Sequence, residues 1–375
     1  MDALIPLAKP HITEEDRLAV SRVLESGVLS RGPWLEKFES LMATTVSCKY
    51  AIGLSNGTAA IHCSLLGANV GQGDEVICGS YTVPASLNPI VQLGAKPVLA
   101  DIDPISRAIS VSSAKNLISP RTKAILLVHP FGQPADILGF SHLCEQYDLT
   151  LIEDSCEALG TEIQQQALGS FGLSGCFGFY PNKQITSGEG GMLVTNNEQL
   201  AQNCRRWRNH GRTMDGRWLD QDSIGFNYRL SEINAALGFS QLSRLAQILK
   251  CRQQIATRYH EQLSMVEQID LPSLPENCTA ISWFAYVIQL KPEVPAENRD
   301  KLIAKMAKFN IQTGRYFAPL HLQPAMSAFP ELRRNPLPVT QQISARSLAL
   351  PFFDQLGELQ INRVCQSLIR CLRNL

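Results

Sequence analysis

The chain has 375 residues, more than one hydrophobic core usually organises, and its length predicts a large and a small domain. Hydrophobic residues make up 45% and charged residues 18%, and 34 basic side chains are matched by 34 acidic ones. That balance offers no field for phosphate backbones or anionic lipid, which argues against nucleic-acid and membrane partners.

The opening stretch, MDALIPLAKPHITEEDRLAV, lacks a basic segment followed by an apolar one, and no apolar run approaches the ~18 residues of a membrane span. A cytoplasmic protein is the expectation. The eleven cysteines are scattered without a CxxC pair and several lie in apolar segments such as HCSLL and EVICGS, where they read as small core residues. No Cys or His cluster has metal-ligand spacing, and no metal is expected.

Short apolar runs alternate with helix-like stretches over the first two-thirds of the chain, the pattern of βαβ units stacked into a mostly parallel sheet. The predicted strands are Tyr50–Leu54, Glu75–Cys78, Pro97–Ile102, Ala124–Val128, Leu149–Glu153 and Gly191–Thr195. Between them, TAAIHCSLLGANV and FSHLCEQYD read as helices. From Ser231 the spacing predicts one long helix, with Leu242, Leu245 and Leu249 on a shared face and a domain boundary inside it. The expected division is residues 1–245 for a large domain and 246–375 for a small α/β domain. The latter should hold a strand at WFAYVIQL, a helix at DKLIAKMAKF, a strand near IQTGRYF and a closing amphipathic helix at ELQINRVCQSLIRCL.

Three segments should meet at the strand ends, where open α/β sheets bind ligands. Ser55-Asn56-Gly57-Thr58 leaves a strand and opens a helix, so its backbone N–H groups suit a phosphate; the same residues also suit a plain helix cap by Ser55 or Thr58. Asp154, following the strand LIE, can pair with a protonated ring nitrogen; Asp154 and Glu157 also have the spacing of a capping-box variant. The third segment is GCFGFYPNKQITSGEGG, in which Lys183 sits beside proline and aromatic residues ahead of a glycine-rich turn. A lysine kept partly out of water is more readily the neutral amine that adds to a carbonyl.

With GPWLEKFE, SNGTAAIH, GQGDEVI, EDSCEALG, GCFGFYPNKQITSGEGGMLVT, GFNYRLSEINAALGFSQL and PLHLQP in this order, the chain resembles the DegT/DnrJ/EryC1/StrS family of sugar aminotransferases. The resemblance implies an α/β fold-type I enzyme dependent on pyridoxal 5'-phosphate, with a mostly parallel central sheet. Lys183 matches the lysine that holds the cofactor as an internal aldimine and then shuttles the proton, and Asp154 matches the carboxylate on the pyridine nitrogen. Gly57 and Thr58 match the phosphate turn, Tyr81 the aromatic ring stacked on the cofactor, and Asn227 the residue reaching the neighbouring subunit's cofactor phosphate. A homodimer with shared active sites follows.

Two positions depart from the family pattern. Gly178 stands where many relatives have a phosphate-binding serine, so that donor is either missing or comes from elsewhere, with Ser55 as a candidate. Glu157 stands where many have glutamine beside the cofactor phenolate; as an anion it would repel that oxygen, so it is either protonated or turned toward substrate. A close subgroup carries histidine in place of the lysine and dehydrates a deoxysugar, so Lys183 favours amino transfer. The implied reaction moves an amino group from glutamate or glutamine to a ketosugar, nucleotide-linked, or to a keto-cyclitol. Dehydration or epimerisation on the same fold, and a non-catalytic regulatory role, are the alternatives. His129, His210, Arg229 and His321 lie in matching blocks without an assigned role, and Trp34 is expected to pack a loop near the site.

Overall fold

The computed structural model describes residues 3–213, 220–329, 332 and 335–375. In chain order its strands are β1 (Tyr50–Leu54), β2 (Glu75–Gly79), β3 (Lys96–Ala100), β4 (Thr122–Val128), β5 (Thr150–Asp154), β6 (Glu162–Ile163), β7 (Gln166–Ala167), β8 (Ser174–Gly178), β9 (Gly191–Thr195), β10 (Ile269–Asp270), β11 (Cys278–Ala280), β12 (Tyr286–Leu290) and β13 (Ser347–Leu350). Seven of them form the central sheet in the order β1-β9-β8-β5-β4-β2-β3. Strands β3, β2, β4, β5 and β8 pair in parallel, and β9 runs antiparallel to both of its neighbours.

The strands read as apolar runs because both faces of the sheet are covered, and successive side chains point to opposite faces. Thus Ile52, Cys176 and Leu193 join one cluster with Ala59, Ala60 and Cys63 of the helix Gly57–Gly67. Their neighbours Ala51, Phe177, Met192 and Val194 pack on the other face, against Leu35, Phe38 and Met42 of the helix Pro33–Val46. Farther along that face, Ile77, Ile125, Leu127 and Leu151 meet Ile137, Phe140 and Leu143 of the helix Ile137–Tyr147. All eleven cysteines are free and eight are buried, as small core residues should be.

Three expectations are corrected. Strand β8 escapes sequence reading because SGCFG carries two glycines and no β-branched residue. The long helix from Ser231 is two helices, Glu232–Ser243 and Leu245–Leu263, since Arg244 between them has φ −113° and ψ 19°. Its guanidinium is drawn to Asp16 Oδ2 at 3.0 Å and to the His11 carbonyl at 2.6 Å. The segment IQTGRYF is no strand: only isolated bridges tie Ile311 to Ile5 and Gly314 to Ala349. The second sheet is instead β10-β12-β13, and Ile5 from the chain's beginning packs in its cluster with Ile288, Leu302 and Leu348. No helix among the described residues is long and apolar enough to cross a membrane.

One contact joins sheet and site. Gly191 opens β9 opposite Leu54 of β1 and Gly178 of β8. A Cβ there would lie 2.2 Å from the Asn56 carbonyl oxygen and 2.7 Å from the Gly57 nitrogen, backbone atoms that must move to admit it. Gly191→Ala should therefore cost about 1–3 kcal/mol, the usual range for overpacking, read as a lowered midpoint in thermal or urea denaturation.

Candidate active site

The exits of β1, β5 and β8 enclose a cavity of about 530 Å³. At the first exit, Asn56 has extended backbone and its Oδ1 accepts from the Ala59 N–H at 2.8 Å, so Asn56, rather than Ser55 or Thr58, caps the helix. The first-turn N–H groups of Gly57 and Thr58 have no acceptor within the helix, and both residues line the cavity. Gly57 lies against Gly178 of β8: a Cβ on Gly57 would fall 2.9 Å from Cys156 Sγ and 3.4 Å from the Gly178 Cα. The tight position is Gly57 itself, since a Cβ on Gly178 would meet Cys156 and Gly57 only at ordinary contact distances of 3.4–3.8 Å. Ser55 is not among the lining residues; the hydroxyl-bearing residue on this side is Thr58.

At the second exit, Asp154 ends β5 with its carboxylate buried. Ser86 Oγ donates to Oδ2 at 2.7 Å and the Cys156 N–H to Oδ1 at 3.2 Å, while Thr82 Oγ1 lies 3.1 Å from the Ser86 hydroxyl. Residues 155–160 contain turns and no helix, so the capping-box reading of Asp154 and Glu157 has no helix to cap.

Past β8, the turn closed by Lys183 N–H to the Tyr180 carbonyl brings the lysine back over the cavity. Lys183 Nζ lies 3.2 Å from Glu157 Oε1 and 4.3 Å from the centroid of the Phe284 ring, with its side chain 13% exposed. Glu157 Oε2 accepts from the Phe131 N–H at 2.8 Å. Burial pushes the Glu157 carboxyl above its ordinary range, against the opposing pull of Lys183 and the Phe131 N–H. The lysine turn is pinned from behind, where Gln184 Nε2 donates to the Glu157 carbonyl at 2.6 Å and to Ser282 Oγ at 2.8 Å.

Gly57, Thr58, Asp154, Glu157 and Lys183 thus share one cavity, and Tyr81 and Asn227 do not. The Tyr81 ring is buried edge-on against Phe131 and Phe317, and its hydroxyl donates to Ser347 Oγ at 2.8 Å and to the Tyr316 carbonyl. Two residues on, Val83 faces the cavity instead. Asn227 bridges Asn209 through its backbone, outside its own chain's cavity. His129 is fully buried: Nδ1 accepts from the Ala135 N–H at 3.1 Å, so Nε2 carries the proton and faces Glu153 at 3.4 Å. Arg229 is bound to Asn209, and His321 to Ser80. Trp34 packs on Phe239 and lines a different cavity, with His11 and Arg244.

Sequence reasoning missed Ser86, Val83 and Phe284, and the run Arg315-Tyr316-Phe317 that closes the cavity from the small sheet's side. Their signal is weak, since only the fold brings residues so distant in sequence beside Lys183. Phe131, Tyr316, Phe317 and Phe284 stack with interplanar angles of 5° to 21°, a continuous aromatic wall.

The model of the DegT/DnrJ/EryC1/StrS aminotransferase family matches residues 10–369. The chain is 35% identical to GDP-perosamine synthase of Vibrio cholerae over 99% of both chains. Among solved structures it superposes on Helicobacter pylori PseC, an aminotransferase involved in pseudoaminic acid biosynthesis, with TM-score 0.93 and 25% identity, covering 99% of this chain and 100% of the other. DesV of S. venezuelae, solved in complex with a ketimine intermediate, gives TM-score 0.88 and 30% identity over 95% and 94%. The seven-stranded α/β architecture is that of the fold-type I aminotransferases, and the chain belongs to the DegT/DnrJ/EryC1/StrS family of sugar aminotransferases, enzymes that act on small molecules.

Proposed function

We propose that the protein is a pyridoxal-phosphate-dependent aminotransferase that moves an amino group from glutamate or glutamine to a ketosugar, nucleotide-linked, or to a keto-cyclitol. The observation that carries this reading is the convergence of three functions on one cavity: helix N-terminal amides at Gly57 and Thr58, a buried carboxylate at Asp154 and an amine at Lys183. The donor set fits the cofactor. A phosphate suits the first-turn amides of Gly57 and Thr58, and a Cβ on Gly57 would crowd Cys156 Sγ at 2.9 Å beside them. A ring nitrogen suits Asp154, whose oxygens are oriented by Ser86 and the Cys156 N–H. When bound, pyridoxal phosphate supplies a carbonyl for amine exchange and a ring that draws electrons from the reacting carbon.

In this reading Asp154 keeps the ring nitrogen protonated, and Lys183 carries the cofactor at rest and moves the proton at the reacting carbon through Nζ. Glu157 holds Lys183 in place from Oε1 while the Phe131 N–H fixes Oε2. Val83, not Tyr81, would lie against the ring. Asn227, outside its own cavity, would reach the cofactor phosphate of a second copy in a homodimer. We place the enzyme in the cytoplasm, in keeping with the absence of a spanning helix among the described residues.

Two measurements test this reading. In Lys183→Ala, turnover should fall by roughly 10²- to 10⁴-fold, the usual contribution of a positioned acid–base group, and the cofactor absorbance near the visible edge should disappear. The native enzyme should pass ¹⁵N from labelled glutamate or glutamine into the sugar; an unlabelled, dehydrated or epimerised product would refute amino transfer.

Glu157 gives a pH signature. Its carboxyl titrates above the unfolded value, so the stability it contributes is present below that value and lost as pH rises through the folded one. Glu157→Gln removes this dependence. The unfolding free energy of the cofactor-free variant, relative to native, should shift in the variant's favour as pH rises from about 5 to about 8, measured by urea titration at each pH.

A further inference from the structure

The cavity wall formed by Arg315, Tyr316 and Phe317 holds a charge that amino transfer as described leaves unused. Resting on that reading, we propose that Arg315 binds an oxyanion of the substrate at the cavity mouth: a carboxylate of the amino donor, or a phosphate of a nucleotide-linked acceptor. Both molecules present an anionic group some bonds away from the carbon that must reach Lys183.

Among the described residues that line the cavity, only Lys183 and Arg315 are cationic. Lys183 is tucked in and paired with Glu157. Arg315 is 58% exposed and bound through Nη2 to Asp300 Oδ2 at 2.8 Å. Asp300 is itself shared, since its Oδ1 accepts from Arg299 Nε at 2.5 Å. Arg299 is 12% exposed and donates onward to the carbonyls of Ser344 at 3.0 Å and Ser347 at 3.4 Å, so it is built into the framework. Two guanidiniums around one carboxylate leave one unit of positive charge, and of the two only Arg315 lines the cavity.

Geometry favours an oxyanion there. A guanidinium carries five N–H donors in a planar fork suited to carboxylate or phosphate, and the bridge to Asp300 engages only one arm. Asp300 holds that arm and limits the side-chain freedom a ligand would otherwise have to freeze. The lining carboxylates Asp154 and Glu157 are buried, and Glu189 is exposed on the rim. An anionic ligand is steered away from Glu189 and onto the Arg315 side.

The test uses the holoenzyme and follows the cofactor's absorbance through each half-reaction separately, with glutamate for the first and a nucleoside-diphosphate-linked ketosugar for the second. Arg315→Gln should raise the half-saturating concentration by about 10- to 100-fold, the loss of a charge-assisted contact, with the maximal rate little changed. Arg315→Lys should recover part of that loss, and added salt should narrow the gap between native and Gln forms. Asp300→Asn breaks the same ion pair but frees positive charge, so its half-saturating concentration should stay level or fall. A shift confined to glutamate identifies the carboxylate, one confined to the ketosugar identifies the phosphate, and a shift in both identifies a site used in turn by each. No shift in either half-reaction would overturn the proposal, as would equal losses in Arg315→Gln and Asp300→Asn, which would make the residue a structural brace. A native enzyme that converts the cofactor with neither substrate would instead overturn amino transfer itself, and this inference with it.

Discussion

Strand β9 runs against both of its neighbours, and the site depends on that reversal. Because β1 and β8 point the same way and β9 lies between them, one residue, Gly191, sits opposite both Leu54 and Gly178, the last residues of the two flanking strands. The two exits are thereby held one strand apart on either side of a single glycine. Its missing side chain lets the Asn56–Gly57 backbone pass close over the start of β9. From there the helix begins with its amides toward the cavity, and the turn after β8 brings Lys183 over it.

A second layer of restraint sits behind the first. Glu157 joins two loops that share no strand: one oxygen meets the Lys183 ammonium and the other the Phe131 N–H. Phe131 has φ +60°, a left-handed conformation that costs a residue with a Cβ about 1–3 kcal/mol when held by its surroundings. The carboxylate and the stacked rings of Tyr316 and Phe317 provide those surroundings. Next to it, buried Glu153 accepts N–H groups from Gly169, Phe171 and Gly172 at 2.7–2.9 Å and faces the protonated nitrogen of His129. Adjacent carboxylates of the sequence EDSCE therefore do different work. Glu153 organises a loop away from the cavity, whereas Asp154 faces into it.

The aromatic wall gives a cavity with several charged groups an apolar side. Phe284 takes the Lys183 ammonium against its face, and Tyr316 stacks parallel to Phe284 at 6.2 Å. Arg252, buried on the helix Leu245–Leu263, donates to the carbonyls of Trp283 and Phe284 at 3.2 and 3.3 Å, which fixes that ring's backbone. Charge is concentrated on the strand-exit side and apolar surface on the side of the small sheet, with Arg315 at the boundary.

The sequence by itself determined the elements whose signal is local. Apolar runs bounded by turns located six of the seven central strands, and the order of SNGT, EDSCE and the Lys183 turn marked the strand exits, because a ligand site on an open parallel sheet is built where strands end. Tertiary structure decided what depends on contacts between distant segments. Tyr81 and Val83 are two residues apart on one loop, and only the packing of that loop against Phe131 and Ser347 turns Tyr81 inward and leaves Val83 facing the cavity. Glycine-rich β8 is a strand because β5 and β9 supply its partners, not because SGCFG favours extension. Arg315 reads in sequence as one more basic residue. Its position against the cavity follows from the bridge of Gly314 to Ala349 and the ion pair with Asp300, and both are long-range pairings that residue spacing does not encode.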